Sequence, residues 1–167
     1  MLASLLLALP FPANGGQPLA APTLTTPGTP SFTEEANFRY IINTRKHLGD
    51  DPAALEGTFV GDDLEITFDL PLLYPIPFVT ERAVLMLQTR GVTVNCNVIK
   101  INGVDVSSAL RAHDDDSWHT QIGEVPPNVL KSGSNTLQIA ARNESCGVGG
   151  NLDDFVVDNV VILYRKP

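Results

Sequence analysis

Charge is missing from the first 33 residues: no Asp, Glu, Lys or Arg precedes Glu34 in this chain of 167. Basic residues are scarce throughout, with 11 Lys plus Arg against 19 Asp plus Glu, a formal charge of −8. Nucleic-acid phosphates need a basic face, so no nucleic-acid partner is expected. Cysteine occurs twice and tryptophan once. Two isolated cysteines lack the paired spacing of a zinc site. The sequence has no Gly-x-Ser-x-Gly elbow, no Cys close to a His, and no glycine-rich phosphate cradle after a strand. The common signatures of nucleophilic catalysis and of nucleotide or organic cofactors are therefore absent. No internal repeat is visible, which argues against a propeller or solenoid.

The uncharged start divides in two. Leu2–Leu9 is apolar apart from Ser4 and stops at Pro10. A bilayer-spanning helix needs about 20 apolar residues, so no transmembrane segment is expected here. The length fits the apolar region of a signal peptide over residues 1–21, which implies an extracellular or cell-surface protein. Residues 22–31 continue a stretch rich in Pro, Thr and Gly, which cannot build a core and reads as a disordered linker. Residues 32–167 are left as the folded domain.

That domain alternates with period two. Phe38, Tyr40 and Ile42 share one face of 37–43; Leu64, Ile66 and Phe68 share the inward face of 64–70. Val84-Leu85-Met86-Leu87 is continuously apolar, as in a strand buried on both faces. Val92, Val94, Cys96 and Val98 alternate next. Asn102-Gly103 predicts a tight hairpin between Lys100-Ile101 and Val104-Asp105-Val106. Further strands are expected at 117–122, 136–142 and 155–165, and one helical turn at 126–133. A helix over 33–48 fits less well than a strand. About eight short strands mean an all-β fold, a jelly-roll β-sandwich or closed barrel.

Several pieces occur in a telling order: Leu85-x-Leu87, Gly91-Val92, Ile101-Asn102-Gly103-Val104, Trp118-x-Thr120, the Pro126–Gly133 turn, and Gly133-Ser134-Asn135-Thr136-Leu137. Asp153-Asp154-Phe155-x-x-Asp158-Asn159-Val160 closes the series. From Val84 to Tyr164 the chain resembles galactose-binding-like jelly-roll domains of the carbohydrate-binding-module type. The resemblance covers about half the chain and implies a carbohydrate ligand and a structural calcium. By that likeness the calcium ligands would be Glu34 or Glu35 near the domain start, with Asp154 or Asp158 on the last strand. Calcium takes six to eight oxygens, and Asp153 beside Gly149-Gly150 adds another candidate. Glu35, Asp153, Asp154 and Asp158 form the candidate metal set. Solvated acidic loops are the competing reading.

The even cysteine count in an exported chain predicts a Cys96–Cys146 disulfide holding a glycine-rich loop. His113, Asp114, Asp115, Asp116, Trp118 and His119 crowd into seven residues. Such a group could chelate, move protons or stack a sugar ring. His113, Asp115, Trp118 and His119 are the candidate ligand contacts, unless Trp118 is simply core. The alternative function is a small extracellular enzyme acting on a small, aromatic molecule. On residue types alone it is similar to pyocyanin demethylase, using Asp69, His119 and Tyr164. Asp69 and Glu124 could serve glycoside hydrolysis. A homo-oligomer is the third possibility, through Tyr74 and Phe78. Asn143-Glu144-Ser145 is a glycosylation sequon.

Overall fold

The computed structural model describes residues 36–71, 78–106, 109–113 and 115–165. The chain separates into two units between Phe32 and Thr33, and all described residues belong to the second. The leader and linker expected over residues 1–31, with Glu34, Glu35, Tyr74 and Asp114, lie outside the described residues.

Ten strands run in chain order: β1 Ala36–Ile42, β2 Lys46–Leu48, β3 Thr58–Gly61, β4 Asp63–Leu70 and β5 Ala83–Arg90. They continue with β6 Val98–Ile101, β7 Val104–Asp105, β8 His119–Val125, β9 Gly133–Ala140 and β10 Phe155–Arg165. One sheet has the order β3-β2-β10-β5-β8, with β1 also pairing β10. The second has the order β4-β9-β6-β7. Their inward residues form one core: Leu85, Leu87, Val157 and Ile162 from the first sheet, Phe68, Ile99, Ile101, Leu137 and Ile139 from the second. The fold is an all-β sandwich and not a closed barrel.

The eleven-residue β10 organises the first sheet. Its beginning, Phe155–Val157, pairs β2, and Val160–Arg165 pairs β1, so two short strands share one edge. Its other edge carries β5 along its length, which carries β8 in turn. Five of its eleven residues are hydrophobic and β-branched, as expected of a central strand.

Several local expectations change. Residues 92–97 form a loop, not a strand, and β6 begins only at Val98. Val92, Val94 and Asn97 are nevertheless buried, because the loop folds around Asp153, some 60 residues away in sequence. The 126–133 segment is a turn without a helix, and Asn128 takes a φ of 63°. No helix occurs among the described residues. The Asn102-Gly103 hairpin forms as its sequence requires, with φ of 50° and 79°.

Two departures create the surface of interest. The strand β5 is buried on one face only: Ala83, Leu85 and Leu87 point inward, whereas Val84 is 37% exposed. In β1 a register shift between Tyr40 and Ile42 breaks the shared face. Ile42 turns into the core, and Phe38 and Tyr40 stay outside at 64% and 56% exposure. A bulge moves the next side chain to the other face of a sheet, which a strict alternation rule does not register.

Candidate functional site

The two outer faces of the sandwich differ in chemistry. On the second sheet, β4 presents Asp63, Glu65, Thr67 and Asp69 outward, and β9 sets Gln138, Thr136 and Ser134 opposite the last three. That face is hydrophilic. On the first sheet the outward rows follow from the register. Phe38, Leu163, Val84 and Glu124 lie side by side across β1, β10, β5 and β8. Tyr40, Val161, Met86 and Ile122 form the next row. Gln88 and Thr120, with Asp158 and the bulged Asn159, form a third. Arg90 and Val156 follow, continued on β2 by His47.

These rows enclose a groove of about 440 Å³, lined by Phe38, Tyr40, Met86, Gln88, Thr120 and Asn159, with Val161 and Leu163 in its floor. The Phe38 and Tyr40 rings meet edge to face, 5.9 Å between centroids. At the polar end Asn159 Nδ2 donates to Gln88 Oε1 at 2.8 Å, which orients both amides. Beyond this end the face is roofed. His47 and Val156, on the same outward side, are both 0% exposed. The 50–57 connection lies against this row: Leu55 packs near Gly91, and Glu56 reaches both Arg45 and Arg90, at 2.5 and 3.5 Å.

The His113–His119 loop stands beside this roof. Gln121 positions it from the core side: its amide accepts from the Arg111 N–H at 2.6 Å and donates to the Arg111 carbonyl and to Thr89 Oγ1. The His113 N–H donates to the Val92 carbonyl at 2.8 Å. The His113 and His119 rings stack with 3.7 Å between centroids and 5° between planes. His119 Nε2 lies 2.5 Å from Asp115 Oδ1. That hydrogen bond, then one from the Ser117 N–H, holds the Asp115 pKa below the usual carboxylate value. Asp116 takes a two-pronged contact from Arg90, at 2.9 and 2.7 Å, which lowers the Asp116 pKa and raises that of Arg90.

Trp118 is not core. It is 37% exposed, and the Arg45 guanidinium sits 5.2 Å from its ring centroid. Arg45 also lies 3.6 Å from Asp158 Oδ2. One ring face of Trp118 is thus already engaged by a cation.

The glycine-rich 143–153 loop borders the same 91–97 segment from its other side. Cys96 and Cys146 are joined, with Cα atoms 5.5 Å apart, and no cysteine is free. The bond links two loops, not a loop to a strand. Asn143 organises the loop from within. Its Oδ1 accepts from the Ser145 and Gly147 N–H groups, and its Nδ2 donates to the Gly149 carbonyl at 2.7 Å. The sequon amide is therefore a structural donor here.

The described candidate metal acids, Asp153, Asp154 and Asp158, do not converge. Asp153 is buried and accepts from the Thr93 N–H, Thr93 Oγ1, the Val94 N–H and Asn97 Nδ2, at 2.5 to 3.2 Å. Those contacts take up its lone pairs. Asp154 faces the opposite way, with its Oδ1 3.1 Å from His47 Nε2 and accepting from the Asp51 N–H at 3.2 Å. Asp158 sits beside Arg45 and accepts from the Asn159 N–H. Among the described residues no three His, Cys, Asp or Glu side chains form a metal-holding group.

The candidate catalytic residues are also dispersed. His119 pairs Thr89, which pairs Val157; Tyr164 is seven residues further along β10, about 23 Å at strand rise. Tyr164 is buried, which pushes its phenol pKa up. Asp69 lies on the other sheet opposite Ser134. Glu124, paired with Arg82, lies on the opposite outer face from Asp69, so they cannot flank one glycosidic bond.

Fold and surface together define a disulfide-bonded β-sandwich with one apolar, aromatic-edged outer groove. No protein-family model matches the chain, and no curated protein matches it.

Proposed function

We propose that this chain is an exported binding module whose ligand is a saccharide seated in the groove of the first sheet. The groove itself carries the reading. Exposed aromatic rings at one end suit the C–H faces of a sugar. Oriented amides and a hydroxyl at the other end, from Gln88, Asn159 and Thr120, suit its hydroxyls. The expected leader over residues 1–21, the disulfide and the galactose-binding-like pieces of sequence agree with an extracellular module of this kind. The binding surface is then the sheet face, with His113, Asp115 and His119 off to one side.

Calorimetric titration with a panel of neutral and acidic oligosaccharides tests this. Tyr40→Ala and Gln88→Ala should each weaken a binding saccharide about tenfold, equal to about 1.4 kcal/mol. His113→Ala should leave affinity unchanged. Absence of binding across the panel, or wild-type affinity in Tyr40→Ala, overturns the reading.

A second reading has its own observation. Ile122 is 56% exposed beside the groove, and Val84 adds apolar surface on the same face. A second copy of the chain could cover such a patch. A dimer in sedimentation, dissociated by Ile122→Lys, would reassign the face to self-association.

A further inference from the structure

We propose that the polar end of the first-sheet groove adjoins a carboxylate site, filled in the free protein by the chain's own Glu56, and that the saccharide it takes is an acidic one. The saccharide rests on the function proposed above; the carboxylate site stands on its own geometry.

Two guanidiniums meet on one carboxylate oxygen. Arg45 Nη1 donates to Glu56 Oε1 at 2.5 Å, and Arg90 Nη1 lies 3.5 Å from the same atom. Both arginines border the groove. Arg90 is two residues beyond Gln88 on the outward side of β5. Arg45 precedes β2, and its Nε lies 3.6 Å from Asp158 Oδ2, on the row that carries Gln88 and Thr120. Its guanidinium also sits 5.2 Å from the Trp118 ring centroid. A carboxylate in the place of Glu56 Oε1 therefore meets two cations, with the oriented amides of Gln88 and Asn159 in the adjoining row.

The three acids that share these arginines are not held alike. Asp116 takes Arg90 Nε and Nη2 in a two-pronged contact. Asp158 belongs to the central strand β10, is 17% exposed and accepts from the Asn159 N–H. Glu56 is 55% exposed and hangs from the 50–57 connection, of which residues 51–54 and 56–57 are exposed. A segment with few buried contacts moves most easily, so Glu56 is the acid that yields. Tethered as it is, it competes with a ligand at an effective concentration on the order of millimolar. Exchanging it for a ligand carboxylate leaves two guanidiniums facing three carboxylates, so the local charge balance is kept. A neutral saccharide gains nothing from this exchange. An acidic one lays its rings toward Phe38 and Tyr40 and its carboxylate between Arg45 and Arg90.

Two arms test the site and the ligand class separately, both at fixed ionic strength. Malonate probes the site without a sugar. Trp118 is the only tryptophan in the chain and lies against Arg45, so its fluorescence reports occupancy. Glu56→Gln should respond to malonate about tenfold more sensitively than wild type. Adding Arg45→Gln should abolish that gain. Arg45→Lys serves if the glutamine variant folds poorly, and its point charge without the planar fork should keep only part of the gain. Glu65→Gln removes the same charge from the opposite outer face and should behave as wild type. Absence of a gain in Glu56→Gln, or an equal gain in Glu65→Gln, overturns the carboxylate site. In the second arm, trigalacturonate and its uncharged methyl ester are titrated by calorimetry. Glu56→Gln should bind the acid about tenfold more tightly than wild type does, with the ester unchanged. Equal affinity of acid and ester in Glu56→Gln overturns the acidic class and leaves a saccharide reading standing. A malonate response with neither saccharide bound upholds the carboxylate site and overturns the acidic saccharide.

Discussion

Gly49 and Asp154 compete for one volume: a Cβ built on Gly49 would lie 2.0 Å from Asp154 Oδ1 and 2.9 Å from its Cα. Gly49 also has a φ of +141°, a region that side-chain-bearing residues avoid. The close approach lets Asp154 reach His47 and the Asp51 N–H, which ties the 50–57 connection down over the sheet. Gly49→Ala should cost about 3 kcal/mol and lower Tm by roughly 10 °C. Gly103→Ala, with a φ of +79° but nothing within 4 Å, should cost only about 1 kcal/mol. Thermal unfolding of the two variants measures the difference between a filled space and a strained backbone.

Asp153 should matter more to stability than any other acid described. Its carboxylate answers four donors from the 93–97 loop, and every one is a neutral amide or hydroxyl. Asp153→Ala leaves these donors unpaired in a buried site. A loss of about 3 kcal/mol or more is expected, read from denaturant unfolding at unchanged slope. Added calcium should not restore the variant, because the lost bonds are protein to protein.

Acid should weaken the 113–119 loop through its carboxylates. Asp115 and Asp116 have pKa values lowered by His119 and Arg90 respectively. A carboxyl with a depressed folded-state pKa contributes stability above its unfolded value, and that contribution is lost as pH falls through the folded value. The window therefore lies below the ordinary aspartate value of 3.8. Both side chains are exposed, at 59% and 70%, so the effect on global stability should be small and reduced by salt. Amide exchange of residues 113–119 between pH 5 and pH 2.5 is the measurement sensitive enough to see it.

Removing the disulfide should destabilise the domain without unfolding it. Cys96 and Cys146 are 50 residues apart, for which loop-closure entropy gives about 4 kcal/mol. The Asp153 and Asn143 hydrogen bonds persist in its absence, so the sandwich should remain. A Cys96→Ser, Cys146→Ser double variant should lose about 2–4 kcal/mol and become cleavable by protease within 143–150.

The sequence by itself determined most of the longer strands, though not β2, β3 or the loop over 92–97. Period-two alternation in 64–70, the β-branched run of 155–165 and the Asn102-Gly103 turn are local signals, and each produced its element. The cysteine pair was legible as well, since the chain has two cysteines and they are joined. Only the tertiary structure decided which faces the strands presented. Val84 and Met86 belong to a run that reads as buried on both sides, yet Met86 lines an open groove and Val84 is exposed on the same face. Phe38 and Tyr40 leave the core because a bulge before Ile42 changes the register, and nothing in a strand's own composition marks where pairing will slip. The site residues dispersed for a related reason. Asp153, Asp154 and Asp158 are close in sequence, but the first two lie in the connection before β10 and turn opposite ways while Asp158 sits within the strand, so each acid meets a different partner. Chain proximity is a one-dimensional property. Whether side chains converge depends on pairing register and on loops arriving from 50 or more residues away, such as the disulfide-linked pair and Asp153 with Thr93.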